Sequence, residues 1–176
     1  AACEVPTRTP RLVHDGDQKS FGLSASEVGG GMGGAFASST ATASTAVTIP
    51  LDDTVPQSGE GIEYIAAVIP VHSPSSWITA RFTSWGAGNT LMAITVALFR
   101  NDEASTIQAR PVTIGGNTYM HLLALEKHFQ ANTAGNMNMK IRFGPNGSTC
   151  WILQNPSAGL FSTSASSILT LTEIAP

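Results

Sequence analysis

Charge is scarce in this sequence. Nine Lys and Arg against twelve Asp and Glu in 176 residues leave a charged fraction of 12% and a formal net charge of −3, about half the charge content of an ordinary soluble domain. That balance carries no basic footprint for nucleic acid. Long apolar runs are also missing: 42% of residues are apolar, yet no segment approaches the roughly 20 consecutive apolar residues of a membrane-spanning helix, so membrane insertion is not expected. Nor does the start, AACEVPTRTP, carry the charged and then apolar segments of a secretion signal. Cysteine is limited to Cys3 and Cys150, which excludes a disulfide framework. The expected state is two independent thiols with Cys150 packed as a small apolar residue; a Cys3–Cys150 bridge is the alternative.

What is present divides the chain unevenly. Residues 1–46 contain GGGMGG (29–34) and ASSTATASTA (37–46), tracts of small residues that bury little apolar area, and are expected to form an arm or linker. A hairpin around Asp15-Gly16-Asp17 is the one element expected within it. Residues 47–176 carry a β pattern. Strand-length segments rich in β-branched and aromatic residues fall at 62–71, 76–85, 90–100, 119–130, 136–144, 148–155 and 166–174. Gly, Pro, Asn and Ser clusters separate them. Within NMNMKIRFG the residues Met137, Met139, Ile141 and Phe143 alternate with Asn136, Asn138, Lys140 and Arg142, as in a half-buried strand. Asn146-Gly147 between two such segments predicts a hairpin. Antiparallel strands of this number, without helices to cover a parallel sheet, predict an all-β, two-sheet sandwich of jelly-roll type. Abundant β surface with few charges predicts buried contact between subunits.

No catalytic, cofactor or metal constellation emerges. Asp52 and Asp53 lie between Pro50 and Pro56; side by side on extended backbone they point to opposite faces, unsuited to flanking a glycosidic bond. Carboxylates in such a setting hydrogen-bond the backbone of their own turn, with calcium ligation as the alternative. His14, His72, His121 and His128 do not cluster, and His121 and His128 fall on opposite faces of a strand. His14-Asp15-Gly16-Asp17 opens like a calcium loop but lacks its closing acid. Gly29, Gly31 and Gly34 match a phosphate-loop spacing without the strand and helix that give it meaning.

The stretch TIPLDDTVPQSGEG (48–61) resembles a run found in virion proteins of tailed bacteriophages. Ile49, Pro50, Asp52, Asp53, Thr54, Pro56, Gln57, Glu60 and Gly61 agree with that pattern, while Val55 and Gly59 depart from its more usual Ile and Thr. VALFRN (96–101), KIRFGP (140–145) and SSILTLTEI (166–174) resemble the family's later strands in the same order, so the resemblance spans residues 48–175. It implies a trimeric jelly roll similar to the tumour-necrosis-factor and C1q folds, a place in the virion, and no cofactor. Pro50, Asp52, Asp53, Thr54, Pro56 and Gln57 are then a structural turn motif leading into the sheet.

The function expected is a non-enzymatic fibre or spike head that attaches to the host surface. Residues 1–46 would contact other virion proteins, and a host glycan or protein would be the receptor. Capsid decoration or cementing, and a spike-borne glycan hydrolase, are the alternatives. Receptor contact is expected at SWGAGNT (84–90) and QNPSAGLFST (154–163), through Trp85, Asn89, Asn155 and Phe161, because aromatic faces stack on sugar rings while amides hydrogen-bond hydroxyls. In the competing reading, Trp85 and Phe161 plug the ends of the sandwich.

Overall fold

The computed structural model describes residues 33–115, 119–154 and 165–176. They form ten strands: β1 (Gly34–Ser39), β2 (Ala43–Thr45), β3 (Ile62–Val71), β4 (Trp77–Gly88), β5 (Leu91–Arg100), β6 (Gln108–Gly115), β7 (His121–Gln130), β8 (Gly135–Pro145), β9 (Cys150–Ile152) and β10 (Ser167–Ile174). One sheet runs β1-β10-β4-β7, with the short β9 and β2 continuing along the β10 side of β4. The second runs β3-β8-β5-β6. All pairings are antiparallel. Without β2 and β9, the eight remaining strands lie in the order 1-8-3-6 in one sheet and 2-7-4-5 in the other, the double Greek key of a jelly roll.

Alternation builds the core between the sheets. Met137, Met139, Ile141 and Phe143 of β8 point inward as their spacing predicts and meet Phe82, Ile94, Leu98, Leu125 and Leu169. The segment 119–130, whose leucines also suit a helix, is the strand β7, where even spacing and flanking turns outweigh helix propensity.

Three expectations need correction. The tract 37–46 is not all arm, because β1 and β2 lie in the first sheet. Small side chains suffice there: Ala35, Ala37 and Ala43 lie against the core, and the β-ladder supplies the hydrogen bonds. The Tyr64 hydroxyl, 2.8 Å from the Ala41 carbonyl, pins the link between the two strands. Second, Asn146-Gly147 does not close a hairpin, since β8 and β9 belong to different sheets. Asn146 instead ties the connection back to β5 of the second sheet, its side-chain oxygen accepting from Ala93 N–H at 3.0 Å. Third, β6 was not expected; its sequence QARPVTIG alternates poorly and contains Pro111, tolerable because β6 is an edge strand.

At the end where the chain joins β1, the Glu173 carboxylate is fully buried. Burial by itself would raise its pKa, but hydrogen bonds from the His72 side chain, Ser76 and the backbone of His72 and Ser73 prevail and hold it at about 2. The Nδ1 of His72 lies 2.6 Å away, and Glu173 N–H donates to the Gly33 carbonyl at 2.7 Å. A folded-state value below the ordinary 4.5 means that this carboxylate stabilises the fold above that pH and loses its contribution as pH falls toward 2. Thermal melts of the wild type and Glu173→Gln should differ most near neutral pH and converge in acid. A difference independent of pH would contradict this role.

Candidate functional site

The run IPLDDTVPQSGEG is a strap. It leaves β2, crosses the outer face of the second sheet and re-enters as β3, burying Ile49 completely against Ala97 and Phe99 of β5. β5 is therefore covered on both faces, which explains its nearly continuous apolar sequence. Hydrogen bonds fasten the strap along its length. Ile49 N–H donates to Pro145, Gly61 N–H to Thr48, Ser58 N–H to Ala104, and Thr106 N–H to Pro56. The Arg142 guanidinium grips the carbonyls of Glu60 at 2.8 Å and Gly61 at 2.9 Å. Gly61 has φ +59°, and a Cβ there would lie 2.5 Å from the Phe143 carbonyl oxygen, so no other residue fits without displacing the strap.

The turn chemistry falls on one of the two aspartates. Asp52 Oδ1 accepts from Thr54 N–H at 2.9 Å and from the Thr54 hydroxyl, and these bonds hold its pKa below the usual carboxylate value. Asp53, expected to share this role, is exposed and makes no hydrogen bond among the described residues. Gln57 joins the strap to the β5–β6 loop, where it forms an isolated bridge with Ser105, and its N–H donates to Glu60 Oε2 at 2.9 Å. Pro50 and Pro56 lie on the strap and fix φ there.

Trp85 does not sit on a loop. β4 extends to Gly88, and alternation places Trp85 on the outer face of the first sheet, opposite Leu122 of β7. It is 40% exposed, so it does not plug the end of the sandwich. Asn89 is occupied structurally: its side-chain oxygen accepts from Ser148 Oγ at 2.7 Å and from Thr149 N–H at 3.4 Å, tying the β4–β5 turn to the β8–β9 connection. Asn155 and Phe161 lie outside the described residues, as do Cys3 and His14. Cys150 is buried, which pushes its thiol up to about 12 and keeps it protonated and inert.

The same outer face holds residues that the strand assignments did not single out. The cross-strand registers put Phe36 of β1, Ile168 and Ile174 of β10, Trp77 and Trp85 of β4, and Leu122 of β7 on it. These six side chains are 40–69% exposed. Their signal was legible in SWITARFTSW, where Trp77, Thr79, Arg81, Thr83 and Trp85 alternate with Ile78, Ala80 and Phe82; both faces of that strand look apolar, so the outward set was not separable from the core. At the centre is a depression of about 280 Å³ lined by Thr79, Arg81, His128, Thr170, Thr172 and Ile174. Arg81 donates to Glu126 at 3.0 Å, His128 Nε2 lies 3.1 Å from the same carboxylate oxygen, and His128 Nδ1 lies 2.8 Å from Thr79 Oγ1. The pairing with Arg81 holds the Glu126 carboxyl below its usual range.

A second depression, of about 190 Å³, lies beside the strap and is lined by Glu63, Asp102, Glu103, Lys140 and Arg142, among others. Asp102 is paired with Lys140 at 3.1 Å and its side chain is 97% exposed, while Glu103 is paired with Arg100 at 2.7 Å. Among the described residues no group of three His, Cys, Asp or Glu side chains could hold a metal ion.

No protein-family model matches the chain, and no curated protein matches it. Among solved structures it is similar to a CBM4 carbohydrate-binding module, at 14% identity and a TM-score of 0.33 over 56% of this chain and 73% of that one. Latent PorU of Porphyromonas gingivalis matches at 8% identity and a TM-score of 0.37 over 78% of this chain, but only 13% of PorU is covered. The VP2 subviral particle of infectious bursal disease virus matches at 10% identity and a TM-score of 0.35 over 81% of this chain and 42% of that chain. A viral coat protein and a carbohydrate-binding module thus stand among the structural neighbours, all at low identity and low TM-score.

Asp52→Ala should lower the melting temperature more than Asp53→Ala, because only the first removes bonds to Thr54. Thermal unfolding of the two variants checks this; equal losses, or a larger one for Asp53→Ala, would contradict the assignment of the turn to Asp52.

Proposed function

We propose that this chain is a non-enzymatic structural protein of a bacteriophage particle, a homotrimeric fibre or spike head that attaches the particle to the host surface. The strap carries the run that resembles tailed-phage virion proteins, and its contacts give that run a structural purpose. The observation that carries the attachment reading is the placement of the chain's junctions. Gly33, to which residues 1–32 are joined, lies at the end of the sandwich beside Pro70, His72 and Glu173. The turns at 89–90 and 146–149 lie at the opposite end, held together through Asn89. A domain tethered at one end presents the other, and loops on a rigid sandwich are where recognition residues sit.

Contact with other virion proteins then belongs to the residues before Gly33, because the rest of the expected arm is part of the first sheet. Immunogold labelling of particles, with binding of the purified chain to whole host cells, tests the proposal. Label at the tail tip and saturable binding to cells are expected. Label spread over the head shell without cell binding would replace attachment by capsid decoration.

A further inference from the structure

Among the described residues, the end of the sandwich opposite Gly33 carries no Asp, Glu, Lys or Arg. Three connections meet there: β4–β5 at 89–90, β8–β9 at 146–149, and β6–β7, whose flanks are placed by the pairing of Leu91 with Gly115 and of Gly86 with His121. Each lies in a long uncharged stretch, since residues 82–99, 111–125 and 143–172 contain no charged residue. Charged groups sit elsewhere, at mid-sheet (Arg81, Glu126), on the strap (Asp52) and in the β5–β6 loop (Asp102, Glu103). Two large apolar side chains stand out from the uncharged end, Leu91 at 75% exposure and Tyr119 at 65%. We propose, resting on the attachment function above, that this end binds an uncharged saccharide.

The polar groups at this end are fixed as donors. Asn89 Oδ1 is taken up by Ser148 Oγ and Thr149 N–H, and Asn146 Oδ1 by Ala93 N–H. Those bonds set the orientation of both amides, and the NH2 group of each is left without a partner among the described residues, on a side chain that is exposed. Backbone bonds hold the same connections, Asn89 N–H donating to Thr149 at 3.3 Å and Asn146 N–H to Ala93 at 3.0 Å. The donors are therefore in place before a ligand arrives, which lowers the ordering cost of binding. Beside them are two glycines that the fold does not require. Gly115 and Gly147 lie outside the left-handed φ region, and a Cβ on either would meet nothing within 4 Å. At Gly115, the cross-strand partner of Leu91, this leaves an open step next to an apolar side chain where a ligand can approach the backbone closely. A sugar ring offers an apolar face to Tyr119 and Leu91 and hydroxyl oxygens to the amide donors. An ionic ligand would find no opposite charge here to offset its desolvation. A protein partner would need a wider apolar core than two side chains supply.

Binding of the purified chain to whole host cells, before and after periodate oxidation of their sugars, tests this, together with a glycan array and the variants Tyr119→Ala, Leu91→Ser and Gly115→Glu. Wild-type binding should be abolished by periodate and unchanged between low and high salt, because no charge pair contributes. On the array it should be confined to neutral saccharides. All three positions are exposed, so melting temperatures should stay close to that of the wild type while each variant weakens binding at least about tenfold, the scale of losing one central contact. Folded variants that bind as the wild type does would overturn the site. Cell binding that survives periodate or falls as salt rises, or array binding that prefers acidic saccharides, would overturn the ligand class and leave attachment standing. A chain that binds neither cells nor saccharides would overturn the attachment function as well. Should one variant fail to fold, the other two decide.

Discussion

The burial of Ile49 against Ala97 and Phe99 is the contact on which the rest of the architecture depends. A jelly roll has two outer faces, and here the β5 part of one is covered by its own chain. Complete burial of an Ile side chain contributes about 2–3 kcal/mol, and the strap adds backbone hydrogen bonds that extended chain on a surface would otherwise satisfy with water. Arg142 sets the angle of re-entry by holding the carbonyls of Glu60 and Gly61. Without that clamp, Phe99 and Ala97 would face solvent, and β5 would be too apolar for a half-exposed strand.

Closing one face makes the other conspicuous. Besides the residues it turns into the core, the first sheet carries six large apolar side chains outward around a small, internally paired ionic centre. At one end of the molecule Glu173 joins the β3–β4 turn, through its buried carboxylate, to the start of β1, through its backbone N–H.

Much of this was legible in the sequence. Strand-length runs rich in β-branched and aromatic residues located β3, β4, β5, β7, β8 and β10, with period-two alternation clearest in β8. β1 and β2 were not legible, since Ala, Ser and Thr carry almost no hydrophobic contrast and their order comes from cross-strand hydrogen bonds with distant partners. The same non-locality hid the true connection at Asn146-Gly147, where turn chemistry is identical whether the next strand returns to the same sheet or crosses to the other. Within the acidic pair, the turn was readable but not which aspartate bonds it. Trp85 was recognised as exposed aromatic surface yet placed on a loop, because strand β4 runs through the glycines Gly86 and Gly88 that ordinarily mark an end.

Hydrogen exchange of the chain tests the strap most directly. The amides of Ile49, Ser58 and Gly61 should be protected in the wild type, and Arg142→Ala should release them while those of β10 stay protected. Strap amides that exchange as fast as an open loop in the wild type would contradict the account that the chain covers β5 with its own strap.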